Sequence, residues 1–127
     1  MIELLVSGTK ARLFNEIASR NVDPCASELA ITEAQYIICR TLGATVAETK
    51  IDDLLASNAY DIVCISLLRP VANKIKCQCA ISLADCFTIA LASIKNIPAL
   101  FATREAELDK ELKKSSFPAT IYFLDEL

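Results

Sequence analysis

Ser82-Leu83-Ala84-Asp85-Cys86-Phe87-Thr88-Ile89-Ala90-Leu91-Ala92-Ser93-Ile94-Lys95-Asn96 is the stretch around which the chain is organised. Apolar residues cover nearly every helical face of this segment, which predicts a buried helix. Asp85 falls in its first turn, and Ser82-x-x-Asp85 has the form of a capping box. An ionised acid on an otherwise apolar helix is costly unless it is hydrogen-bonded, paired or placed on a metal. What satisfies Asp85 is therefore the central functional question.

The rest of the composition bounds the answer. A chain of 127 residues, 54% of them hydrophobic, is long enough for one domain over 1–127 with a sizeable core. Mean hydropathy is +0.39, yet no apolar run reaches the ~20 residues of a membrane helix. The start of the chain lacks the basic opening of a signal peptide, so the protein reads as cytoplasmic with no membrane partner. A net charge of −3 argues against broad non-specific nucleic-acid binding but not against a local basic rim. Zero histidines remove His-based triads and bases. Two glycines, Gly8 and Gly43, exclude a phosphate-binding glycine loop. Any catalysis must use carboxylates, hydroxyls, thiols or lysines. The six cysteines read mostly as small buried hydrophobes, and Cys77-Gln-Cys79 lacks zinc-site spacing.

Outward from the central helix, the pattern alternates between strands and helices. Positions 1–6 are short and apolar, and Thr9 can cap a helix over 10–20. Asp23-Pro24 marks a turn, and 27–31 reads as a short strand. Thr32-Glu33-Ala34-Gln35 is a capping box opening a helix that stops at Gly43. Thr45-Val46-Ala47-Glu48 opens the next, with Ala47, Ile51, Leu54 and Leu55 on its inner face. The β-branched run 62–65 is a buried strand. Ser66 can cap a helix to about position 75, and 76–81 is a connector. Position 97–102 is a second apolar strand, and Thr103 caps a charged helix to about position 114. The Lys/Glu run 105–114 reads as a solvated helix face. A last strand covers 119–124. This order predicts an α/β fold with a mainly parallel sheet flanked by helices.

Glu33, Asp85 and Glu105 are thus each expected in the first turn of a helix. In such sheets, helices start at the carboxyl edge of the strands, where sites form. An acid there also stabilises its own helix through the dipole. Gathered together, the three would repel one another unless a divalent cation intervened, and hard carboxylate oxygens suit Mg²⁺ or Mn²⁺.

The run Leu83-Ala84-Asp85-Cys86-Phe87-Thr88-Ile89-Ala90-Leu91-Ala92, followed by Asn96-Ile97-Pro98-Ala99-Leu100-Phe101-Ala102-Thr103-Arg104-Glu105, resembles the PIN domain family. Thr32-Glu33-Ala34-Gln35-Tyr36-Ile37-Ile38-Cys39-Arg40 resembles the family helix that carries a glutamate. The closest group is the prokaryotic, and in particular archaeal, VapC-like toxins, and the resemblance covers essentially the whole chain. It implies a PIN-like three-layer fold and a metal-dependent endoribonuclease. Glu33, Asp85 and Glu105 match acids that hold Mg²⁺ or Mn²⁺, and Thr103 matches the hydroxyl residue preceding the last acid. It further implies an RNA substrate, an antitoxin protein as partner, and a homodimer. Glu105 departs from the usual aspartate by one methylene. Met1-Ile2-Glu3-Leu4-Leu5 resembles the apolar run after the family's first aspartate, so the strand bearing that aspartate is missing from this sequence. Arg40, Arg69, Lys74, Lys76 and Arg104 are candidates for steering an RNA backbone. Two alternatives stay open beside the enzyme: a catalytically degenerate PIN-like protein acting as a dimeric interaction or RNA-binding module, and an α/β small-molecule binder whose acids serve only as caps.

Overall fold

The computed structural model describes residues 17, 19, 22–114 and 116–126. The apolar run at 1–6 lies outside the described residues, as does the helix expected over 10–20 apart from Ile17 and Ser19. The chain divides into two compact units, Met1–Val63 and Cys64–Leu127. Both are mixed α/β and rich in helix.

In the first unit, strand β1 (Cys25–Ser27) leads directly into helix α1 (Glu28–Leu42), followed by α2 (Ala44–Ala56) and β2 (Asp61–Val63). The strands pair in parallel, with Cys25 opposite Asp61 and Ser27 opposite Val63. Parallel pairing needs a crossover connection, and α1 with α2 supplies it. Ala26, Ile31, Ala34, Ile38, Ala47 and Ile51 form the core, with Leu54, Tyr60 and Ile62 packed against it. Burial pushes the Tyr60 phenol up to about 12.

Four expectations for this unit are corrected: the strand over 27–31, the caps at Thr32 and Thr45, and the inward place of Leu55. The strand expected at 27–31 ends at Ser27, whose hydroxyl accepts a 3.0 Å hydrogen bond from the Ala30 N–H and caps α1. Helix α1 therefore begins four residues before Thr32, and the Thr32 hydroxyl donates back to the Glu28 carbonyl at 2.9 Å instead of capping. Similarly α2 starts at Ala44 with Gly43 as its N-cap and no side-chain cap bond from Thr45. Gly43 also terminates α1, at φ 93° and ψ 162°, backbone angles that glycine alone adopts readily. On α2, Ala47 and Ile51 are buried, whereas Leu55 faces solvent.

The second unit contains α3 (Ile65–Gln78), α4 (Leu83–Lys95), β3 (Ala99–Phe101), α5 (Ala106–Lys114), β4 (Ile121–Phe123) and a 3₁₀ turn (Leu124–Glu126). β3 and β4 pair in parallel, Ala99 opposite Ile121 and Phe101 opposite Phe123. Helix α4 is the buried element expected: Ala84, Cys86, Phe87, Ile89, Ala90, Leu91 and Ala92 are all in the core. It ends at Asn96, which takes the left-handed conformation in place of a glycine. Helix α3 opens at Cys64 without a side-chain cap bond, so Ser66 is not its cap. Pro70 consequently sits in the second turn, where it has no N–H to give the Ser66 carbonyl. Each strand is three residues long, shorter than the apolar runs around it suggest.

Candidate active site

Asp85 is the third residue of α4. Its backbone N–H donates to the Ser82 Oγ at 3.1 Å, so the expected cap is present. The carboxyl is half-buried. Burial raises its pKa above the usual carboxylate range; the Ser82 hydroxyl opposes this, and the charges of Glu105 and Glu107 add to it. Burial first, and then the charges of Glu105 and Glu107, thus drive Asp85 toward its proton.

The chain entering α4 is held by charged side chains from two helices. Lys76 of α3 donates from Nζ to the Ile81 carbonyl at 2.7 Å. The Ala80 N–H donates to Glu111 Oε1 of α5 at 3.2 Å. Between these two bonds the Ile81 side chain is buried. The connector is therefore fixed at consecutive residues just before Ser82, which sets where the first turn of α4 begins.

Glu105 lies four residues beyond β3 and directly precedes α5, and its carbonyl accepts from the Asp109 N–H at 2.9 Å. It occupies the position before the helix, not the first turn expected for it. Thr103 is exposed in the bend between β3 and α5 and does not immediately precede that helix. Glu33 belongs to the first unit, half-buried in the second turn of α1, because Ser27 and not Thr32 starts that helix. Of three acids expected at helix starts, Asp85 alone is in a first turn. Asp85 and Glu105 are brought close enough for their charges to interact. Among the described residues there is no group of three or more Cys, Asp or Glu placed to hold a metal ion.

Neither known family models nor curated proteins match the chain at a significant level.

Several side chains behave differently from their sequence reading. Arg104 donates from Nε and Nη2 to the two Glu126 oxygens, each at 3.0 Å, and from Nη1 to Asp109 Oδ1 at 3.1 Å. Its guanidinium also lies 4.2 Å from the centroid of the Phe123 ring. That charge is spent on the fold, so Arg104 is not a free contact for RNA. Glu111 stands in the Lys/Glu run expected to be a solvated face, yet it is only 6% exposed. Leu108, one turn earlier on α5, is buried beside it. Glu107, which acts on Asp85, carried no signal beyond its place in the same run. Of the six cysteines, only Cys86 is fully buried, and burial pushes its thiol up to about 11. Cys39 and Cys77 are exposed, and none of the six forms a disulfide.

Proposed function

We propose that the chain is a PIN-like, metal-dependent endoribonuclease that hydrolyses RNA phosphodiester bonds, the toxin of a cytoplasmic toxin–antitoxin pair. The observation that carries this reading is Asp85: a half-buried carboxyl in a capped first turn, facing the charges of Glu105 and Glu107. It stands in the Leu83-Ala84-Asp85 segment whose resemblance to the PIN family is most specific. A carboxylate kept in such surroundings is costly to ionise alone and favourable beside a cation.

The donor chemistry fits Mg²⁺ or Mn²⁺, since carboxylate oxygens are the hard ligands these ions take. Asp85 and Glu105, both in the second unit, would hold the ion, and Thr103 would orient one of them. Such an ion supplies an activated water and charge stabilisation at a phosphodiester. The protein's own part is to fix Asp85: Ser82 sets the helix start, while Lys76 and Glu111 hold the connector before it. The three-layer arrangement, the antitoxin partner and the homodimer belong to the same proposal.

The test is RNA cleavage with Mn²⁺ by the wild type and Asp85→Asn, both shown to be folded by circular dichroism. Cleavage that requires the metal and falls more than about 100-fold in the variant is expected, since even outer-shell changes at metal sites cost about 10–100-fold. Absence of cleavage by the folded wild type overturns the enzyme reading.

A further inference from the structure

Tyr36 and Arg40 lie on the helix that carries Glu33, and both are exposed. The Tyr36 side chain is 57% exposed, among the largest exposures of any bulky apolar group in the described chain. Arg40 Nη1 donates to the Tyr36 hydroxyl at 3.1 Å. The guanidinium carbon is 5.8 Å from the ring centroid, at the outer limit of a cation–π contact. The arginine therefore holds the ring at its hydroxyl, and the tyrosine as a whole stays more than half exposed. Unlike Arg104, Arg40 makes no ion pair with any described residue.

Glu33, Tyr36 and Arg40 follow one another at i, i+3 and i+7. At 100° per residue this keeps them within a stripe about 60° wide on α1. Tyr36 is about 4.5 Å and Arg40 about 10.5 Å along the axis from Glu33. Those rises match roughly one and three nucleotide steps of a stacked strand, at about 3.4 Å each. An exposed aromatic ring beside an exposed guanidinium is the pairing that binds single strands: the ring stacks a base and the cation takes a phosphate.

We propose that Tyr36 and Arg40 form a contact for single-stranded RNA, the ring stacking an unpaired base and the guanidinium holding a neighbouring phosphate. This rests on the ribonuclease reading and deepens it by naming the substrate class: an unpaired strand, contacted along α1. A net charge of −3 makes such a local site the more important, because the chain as a whole repels RNA.

The experiment is fluorescence anisotropy of a 5′-labelled, unstructured 12-nucleotide RNA with the full chain carrying Asp85→Asn, in EDTA, so that no strand is cut. Tyr36→Ala is expected to weaken binding at least about tenfold, the scale of one lost base stack. Tyr36→Phe keeps the ring and stays within about threefold. Arg40→Ala flattens the dependence of log K on log salt by about 0.7, the slope of one phosphate on a single strand. A duplex of the same sequence offers no free base and is insensitive to Tyr36→Ala. Unchanged affinity for the single strand in Tyr36→Ala overturns the proposal, as does absence of binding by the parent chain. Unchanged RNA affinity with a changed oligomeric state also overturns it and reassigns the pair to a chain–chain contact. The wild-type Mn²⁺ cleavage assay separates the two claims. Cleavage with a Tyr36→Ala affinity like the parent's removes the contact and keeps the enzyme; binding that depends on Tyr36 without cleavage removes the enzyme and keeps the contact.

Discussion

Glu111 Oε1 accepts a 3.2 Å hydrogen bond from the backbone N–H of Ala80, thirty-one residues earlier in the chain. A buried carboxylate on one helix thereby fixes the connector that delivers Asp85 on another. Lys114 Nζ stands 3.8 Å from the same carboxylate and offsets part of its charge. Glu111→Ala should destabilise the fold by about 1–2 kcal/mol, the cost of an unmade hydrogen bond at a partly buried donor. Glu111→Gln keeps an acceptor oxygen and should lose less than half of that. Urea denaturation of the two variants checks the difference.

The cap of α4 gives a second expectation. Ser82→Ala removes the acceptor for the Asp85 N–H and should cost about 1 kcal/mol. It also removes the hydroxyl that lowers the Asp85 pKa, so that pKa should rise further. Carbon-detected NMR titration of the Asp85 carboxyl reads the shift, and thermal unfolding reads the stability.

Asp85 itself should destabilise the fold when ionised. Its folded pKa lies above the unfolded value, chiefly through burial, so the native state binds more protons in the interval between them. Stability then falls as pH rises from the ordinary aspartate range through the raised value, and the deficit persists above it. Asp85→Asn removes this dependence. The variant should match or exceed the wild type in melting temperature at pH 7 in metal-free buffer, while losing any cleavage. A variant less stable than the wild type at pH 7 would count against the burial argument.

Next to Glu105, Arg104 clasps Glu126 and Asp109 and covers Phe123. Arg104→Ala should release the 3₁₀ turn Leu124–Glu126 while leaving the core intact. Amide exchange at Asp125, whose N–H reaches the Ala102 carbonyl at 3.3 Å, should accelerate several-fold. Arg104 holds the Glu126 carboxyl below its usual range, and Lys113 followed by Arg104 does the same for Asp109. Both folded pKa values are depressed. The clasp is therefore complete above the ordinary carboxylate range and is lost as pH falls through the lowered values. The same exchange measurement on the wild type in acid should reproduce the variant's behaviour.

Gly43 joins α1 to α2 by a single residue at φ 93°. A Cβ there would meet nothing within 4 Å, so space is not the obstacle. The backbone is: Gly43→Ala should cost about 1–3 kcal/mol through strain alone. Chemical denaturation, followed by exchange of α1 and α2 amides, would locate that loss in the first unit.

Local chemistry made α4 legible. Its cap, its apolar faces and its terminal Asn96 all act within a few residues, and the helix found is the helix expected to within one residue at each end. The alternation of short apolar runs with helices likewise determined the mixed α/β character. The beginning of α1 was not determined in this way, because Ser27 and Thr32 are both competent caps. The hydrogen bond between Asp61 and Pro24 and the β1–β2 pairing hold residues 25–27 extended, and that long-range pairing decides for Ser27. The burial of Glu111 and the capture of Arg104 depend on partners 31 and 22 residues away, which a charge pattern along one helix does not encode. Sequence alone thus determined which acid is costly, Asp85 on an apolar helix. Only the tertiary structure decided which charges surround it and which side chains hold it in place, because those energies arise between segments brought together by folding.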